Sequence, residues 1–250
     1  MHRSEICKMK KVLLLSLSAV LLVTACKKSK PETKQDEVCI VKSIELHGNK
    51  IIKYSFSYDD KGRIVKKNNS WPYYWTYTYL TDKIILGYSH TSSTDTLDLD
   101  ANGRIKYRNG YTYKYNEEGY LIEAITKEGE TMTLTYQNGN PVKIVAAYQL
   151  DNGPYIETTT FEYNNEPYQT LRGLFGQPLF QAVIDDSSLV PYLGKSPKNM
   201  LIKETVKQGD FLSYVTTYTY EKDTQGNINS IKEINPEGVQ REEKLTYQCK

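Results

Sequence analysis

Aromatic residues recur in this chain at every second position. Tyr54, Phe56 and Tyr58 alternate with Ser55 and Ser57, and Tyr111, Tyr113 and Tyr115 alternate with Thr112 and Lys114. Tyr73, Trp75, Tyr77 and Tyr79 follow the same spacing, with Thr76 and Thr78 between the later members. Phe161 with Tyr163, and Tyr218 with Tyr220, echo it. A period of two puts the aromatics on one face of a strand and Ser, Thr or Lys on the other, whereas a helix would scatter them around its circumference. Aromatic and β-branched side chains also suit a pleated surface.

Each run leads into a glycine, at Gly62, Gly103, Gly119, Gly139 or Gly226. The segment YDDKGRIVKK (58–67) returns as LDANGRIKYR (99–108) and YNEEGYLIEA (115–124). In each, an aromatic or leucine stands four residues before the glycine and an aliphatic residue two after it: Tyr58 and Ile64, Leu99 and Ile105, Tyr115 and Leu121. Polar residues closed by glycine fit a tight turn whose last residue has positive φ, so the repeated unit reads strand, turn, strand. Before Gly226 the same unit reads two residues longer. Sixteen residues from Gly103 to Gly119 and twenty from Gly119 to Gly139 are the spacing of consecutive hairpins in a meander. The fold class expected is all-β: an antiparallel up-and-down meander forming a strongly curved sheet or barrel.

Residues 166–198 break the rhythm. They hold an apolar cluster of Leu174, Phe175, Leu179, Phe180, Val183, Ile184, Leu189, Val190 and Leu193, and Phe180, Val183 and Ile184 are spaced as on a helix. Pro178 is suited to a helix start. The insert is expected to form one or two short helices that close an open end of the sheet, covering an edge or forming a lid.

The first 25 residues read as a signal peptide rather than as part of the fold. Arg3, Lys8, Lys10 and Lys11 precede a 12-residue apolar stretch, Val12 to Val23, which is short for a bilayer span. It ends in Val23-Thr24-Ala25-Cys26, which resembles a bacterial lipobox, and the resemblance implies acylation of Cys26. Removing the peptide takes four of 32 basic and one of 30 acidic residues, leaving 28 against 29 and a net charge of −1. No basic surplus for nucleic acid survives. Residues 26–37 form a polar tether, and residues 38–250 one β domain. Lys27 after the cysteine, by resemblance to Gram-negative sorting, implies an outer-membrane lipoprotein. The absence of an acidic run beyond it favours the periplasmic face over the cell surface.

Tyr-Asp-x-x-Gly-Arg-Ile at 58–64 resembles the YD repeat of Rhs-type and teneurin-type proteins. The order of lipobox, polar tether and Tyr-x-Tyr hairpins resembles an uncharacterised family of bacterial lipoproteins with a porin-like β fold. The likeness covers about residues 50–145 and 199–247. It implies a curved antiparallel sheet or barrel and implies no activity. A porin proper is not expected, because the residues alternating with the aromatics are Ser, Thr and Lys where a lipid-facing strand needs apolar ones.

Little material for catalysis is present. Beyond the signal only His47 and His90 remain, neither near a cysteine or second histidine at ligand spacing, so no zinc or Cys-His chemistry is expected. No phosphate-binding glycine loop or Gly-x-Ser-x-Gly elbow occurs. Asp59-Asp60, Glu117-Glu118 and Asp185-Asp186 are adjacent, and neighbours on a strand point to opposite faces. Asp98, Asp100 and Asn102 before Gly103 match the first half of a calcium loop, but Asn109 stands where a bidentate Glu would close it; a turn that favours Asp, Asn and Gly explains the same residues. The chain is expected to be neither an enzyme nor a cofactor binder.

Two features remain. Trp71, Tyr73, Tyr74 and Trp75 crowd around Pro72 and offer a platform for a sugar ring or a protein partner, unless they serve only the core. Cys39 and Cys249 open and close the domain; in an oxidising envelope they form either a bridge, which needs a closed or nearly closed sheet, or two free thiols. The functional expectation is a non-catalytic envelope lipoprotein that binds a glycan, peptide or protein. An assembly partner without small ligand, or a hydrolase with an unrecognised site, are the alternatives.

Overall fold

The computed structural model describes residues 39–249 except 92, 151–152 and 170–185. The signal, Cys26 and the tether lie outside the described residues. Sixteen strands run in chain order: β1 Cys39–His47, β2 Ile51–Tyr58, β3 Ile64–Asn69, β4 Tyr74–Tyr79, β5 Lys83–Tyr88, β6 Thr94–Leu99, β7 Ile105–Arg108 and β8 Tyr111–Tyr115. They continue as β9 Leu121–Ile125, β10 Thr131–Gln137, β11 Asn140–Leu150, β12 Gly153–Pro167, β13 Asn199–Gln208, β14 Phe211–Lys222, β15 Ile228–Asn235 and β16 Gly238–Cys249. Each pairs antiparallel with its neighbours in sequence, and β1 pairs with β16. The sheet is a closed barrel, so the open curved alternative is set aside. Cys39 faces Cys249 in register and the two are bonded, with Cα atoms 4.0 Å apart.

Alternation decides which side chains go inside. On β4, Trp75, Tyr77 and Tyr79 point inward, Tyr77 buried and the other two packed on the core, while Tyr74, Thr76 and Thr78 point out. Ile84 and Leu86 on β5, Leu97 and Leu99 on β6, and Met132 and Leu134 on β10 share that interior. Outward positions carry Lys53, Ser55 and Ser57 on β2, Thr131, Thr133 and Thr135 on β10, and Glu242, Lys244 and Thr246 on β16. Ion pairs cross this outer face, among them Lys53–Glu45 at 2.7 Å and Lys114–Glu123 at 2.6 Å. The polarity is the reverse of a lipid-facing barrel, in which each outward Lys would cost about 2–4 kcal/mol at mid-bilayer.

The repeated sentence is resolved as one structural device. Gly62, Gly103, Gly119 and Gly226 close four-residue turns with φ of 71°, 74°, 93° and 88°, each donating its N–H to the carbonyl three residues earlier. The acid or amide that opens the turn accepts from the backbone: Asp59 from Lys61 and Arg63, Asp100 from Asn102 and Arg104, Asn116 from Tyr120, Asp223 from Gln225 and Asn227. The turn at Gly226 is therefore not lengthened; β14 simply runs two residues past Tyr220. After each turn the strand restarts on a bulge, so that Ile64, Ile105, Leu121 and Ile228 pair out of step with the residues that follow.

A bulge leaves a carbonyl turned from the ladder. A tyrosine hydroxyl of the next strand supplies the missing donor. Tyr79 donates to Ile64 O at 2.7 Å, Tyr115 to Ile105 O, Tyr163 to Pro141 O, Tyr220 to Leu201 O and Tyr247 to Ile228 O, the last four at 2.6 Å. Tyr58 does the same for Val41 at the barrel seam. The arginine after the turn stacks on the same ring: Arg63 lies 4.3 Å from the centre of Tyr79, and Arg104 4.3 Å from that of Tyr115. Tyrosine, rather than phenylalanine, is required because the buried carbonyl needs a partner.

All these turns lie at one end of the barrel, where β1 begins at Cys39, β16 ends at Cys249 and β12 leads into the segment before β13. Strand β12 reaches Pro167, so the break begins later than residue 166. Where described, from Asp186, the segment forms a 3-10 turn at Ser187–Tyr192 rather than an α-helix; Asp186 caps it and Pro191 lies within it. Leu189, Val190 and Leu193 join the barrel core. The rest of the expected helical stretch, 170–185, lies outside the described residues.

Candidate ligand site at the open end of the barrel

Two arrangements could serve function: the polar groups inside the barrel and the side chains around the end opposite the segment. Inside, Lys67 on β3 occupies an inward position of a kind that most strands give to apolar residues. Its ammonium lies 2.8 Å from Asp186 Oδ1, while Tyr77 donates to Oδ2 at 2.7 Å and the Ser188 N–H to Oδ1 at 3.1 Å. Burial alone would raise the Asp186 carboxyl, but the Lys67 charge and the three donors hold it below the ordinary carboxylate range. Burial, with the Asp186 charge adding to it, pushes the Tyr77 hydroxyl upward. Lys67 and Tyr77, through Asp186, pin the segment to the wall. A second clasp sits lower, where Lys195 N–H donates to Gly119 O at 2.9 Å and Gly194 pairs with Tyr120. Gly194 has φ +86°, and a Cβ there would meet the Gly119 oxygen at 2.4 Å.

Arg108 on β7 meets Asp95 on β6 at 2.7 Å, both buried. Across β13 to β16 the inward row reads Glu204, Thr216 and Tyr218, Glu233 and Arg241. Arg241 pairs with Glu233 at 2.5 Å. Burial raises the Glu204 carboxyl to about 7; the Tyr218 hydrogen bond opposes that rise and the Glu233 charge adds to it. Of these interior groups the sequence pointed to Tyr77 and Tyr218 as members of aromatic runs and to Asp186 as one of two adjacent acids, but not to Lys67, Asp95, Arg108, Glu204, Glu233 or Arg241. The only signal for those six was a charged residue at an inward position of an alternating strand.

The opposite end is different. Among the described residues, nine of the ten exposed large hydrophobic side chains lie there, Leu80 alone lying at the other end. Trp71 and Tyr73, from the loop between β3 and β4, approach edge-on with ring centres 6.4 Å apart, and His90 of the β5–β6 turn lies 5.2 Å from Tyr73. Tyr74 points outward beneath Lys66, whose ammonium is 4.2 Å from the ring centre. Trp75 points inward, with Lys67 4.6 Å from its ring. The four-aromatic platform expected from sequence is thus divided: Trp71, Tyr73 and His90 form an exposed cluster, and Trp75 belongs to the wall. Alternation makes the split unavoidable, since consecutive residues of β4 face opposite sides.

The half calcium loop is not assembled as a ligand set. Asp98 lies on β6 opposite Lys83 and Tyr107, and the Asp100 carboxylate is taken by Arg104 at 2.7 Å and by two backbone N–H groups. Asn102 is an exposed turn residue. Among the described residues no three His, Cys, Asp or Glu side chains converge as metal ligands. His47 sits at the end of β1, 3.6 Å from Glu45 and far along the chain from His90.

No family profile matches this chain, and no curated protein matches it. Solved structures do. A porin-like protein from Bacteroides vulgatus is similar over 83% of this chain and 98% of its own, with TM-score 0.61 and 14% identity. A porin-like protein from Bacteroides uniformis is similar over the same shares, with TM-score 0.54 and 17% identity. At these identities the likeness establishes the fold.

Proposed function

We propose that the chain is a non-catalytic lipoprotein of a Gram-negative envelope, anchored through Cys26 to the outer membrane, whose barrel lies in the aqueous phase on the periplasmic side and binds a glycan, peptide or protein at its open end. The observation that carries the reading is a segregation. The outer wall is mostly Lys, Glu, Ser and Thr, one end holds the segment around Leu189 and Leu193, and the exposed aromatics collect at the other end. Rings such as Trp71 and Tyr73, held on a rigid rim beside His90, present flat apolar faces with polar edges, the usual surface for a sugar face or a partner's side chain. A porin-like fold with this wall encloses a core rather than a channel. Among the described residues no nucleophile with its base and orienting group stands at the rim.

Arrays of envelope glycans and of peptides test it, with wild type and Trp71→Ala side by side. A signal present in wild type and lost in the variant, at unchanged dichroism, supports the site; equal signals from both remove Trp71 from it. Membrane fractionation of Cys26→Ala tests the anchor. Mature-sized protein still in the outer membrane would refute it.

A further inference from the structure

Three strand ends at the open rim carry large apolar side chains held out in water. Ile51 begins β2 at 64% exposed, Phe211 and Leu212 begin β14 at 80% and 60%, and Ile156, outward on β12, is 52% exposed. These are too exposed to serve the core. Strands β14 and β2 are four steps apart around the barrel, about 19 Å at the usual strand spacing. A shape-specific partner needs a contiguous surface, whereas separate apolar points along one arc of the rim, six of its sixteen strand steps, suit a flat, fluid apolar phase. Lysines flank them, Lys50 beside Ile51 and Lys207 opposite Leu212, placed for the phosphates of a lipid headgroup layer.

Chain length agrees. The nine residues of β1 rise about 26 Å along the strand and less along the barrel axis, because barrel strands tilt. The thirteen residues from Cys26 to Cys39 reach about 45 Å when extended, so a chain anchored at Cys26 can turn its far rim back to the same bilayer. We propose that the tips at Ile51, Ile156 and Phe211–Leu212 dock on a lipid surface, so that the barrel rests this side of its rim on a bilayer without crossing it. Trp71 and Tyr73 share this rim, so bilayer and ligand would compete for it; the docking test removes Trp71 and therefore succeeds or fails whether or not a ligand binds there.

The test uses the full chain with Trp71→Phe and Trp75→Phe, which removes both native tryptophans, and Phe211→Trp as the single reporter. It is mixed with vesicles of phosphatidylethanolamine and phosphatidylglycerol whose acyl chains carry bromine. The expected result is loss of about half or more of the indole emission, reduced at least about threefold when Ile51→Asp and Leu212→Asp are added. All substituted tips are exposed, and near-ultraviolet dichroism checks that the variants remain folded. Unquenched emission in the vesicle-bound protein overturns the proposal, as does quenching unchanged by the aspartates. Shielding of the reporter by an envelope protein extract, without bromine quenching, would assign the tips to a protein partner and equally overturn it.

Discussion

Replacing Lys67 by methionine separates the buried latch from the rest of the wall. Lys67 is 5% exposed and Asp186 7%, and among the described residues Lys67 is the one cation bonded to that carboxylate. Methionine keeps much of the side chain's length and bulk, so the change is mainly one of charge. Among the described residues it leaves Asp186 with the Tyr77 hydroxyl and the Ser188 N–H but no counter-ion. Breaking one side of a buried pair costs about 3–5 kcal/mol, a large share of the roughly 5–15 kcal/mol that holds a domain together. Removing both charges together, as Lys67→Met with Asp186→Leu, should recover most of the loss, because neither ion is then left stranded. Asp186 has a lowered folded pKa, so its contribution is present above the unfolded value and fades as pH falls through the folded one; the single variant's deficit should therefore be largest at neutral pH and shrink in acid. Urea unfolding followed by tryptophan emission measures this directly, since the Lys67 ammonium lies 4.6 Å from the Trp75 ring. A deficit below about 1 kcal/mol for Lys67→Met, or a double variant no better than the single one, would refute the latch.

The Tyr115→Phe variant should lose about 1–3 kcal/mol for one hydroxyl, because the Ile105 bulge carbonyl is left without its donor; equal urea midpoints for variant and wild type would dismiss the device. Glu204 has a folded pKa raised from 4.5 to about 7, so its stabilising share is complete below 4.5 and is lost as pH rises through 7. The corresponding decline is at most about 3 kcal/mol and should flatten in Glu204→Gln when melts are compared across that window. Cys39→Ser with Cys249→Ser opens a closure spanning 210 residues and should cost about 5 kcal/mol by the chain-entropy argument, read as the difference in urea stability from the bridged protein; an unchanged midpoint would show that β1–β16 pairing closes the barrel unaided.

The sequence by itself determined the strands, the turns and the direction of each wall residue. Tyr111, Tyr113 and Tyr115 had to share a face, and Gly62, Gly103 and Gly119 had to end turns, because the two-residue period and the positive φ are local properties of the backbone. The inward charges, Lys67, Arg108 and Glu204, were legible as residues but not as partners. Asp186 lies 119 residues from Lys67, and no local rule pairs a loop carboxylate with one wall lysine among many. The tyrosine-to-bulge bonds were hidden for the same reason: Tyr163 and Pro141 meet only because β11 and β12 pair in a particular register. Closure too belonged to the tertiary structure, since a meander is equally well written for an open sheet, and only the fit of β1 against β16 makes it a barrel. Which end would be filled and which left aromatic followed from that closure. Alternation fixes a side chain's face, whereas its neighbours across the lumen depend on strand number and stagger, which no single segment encodes.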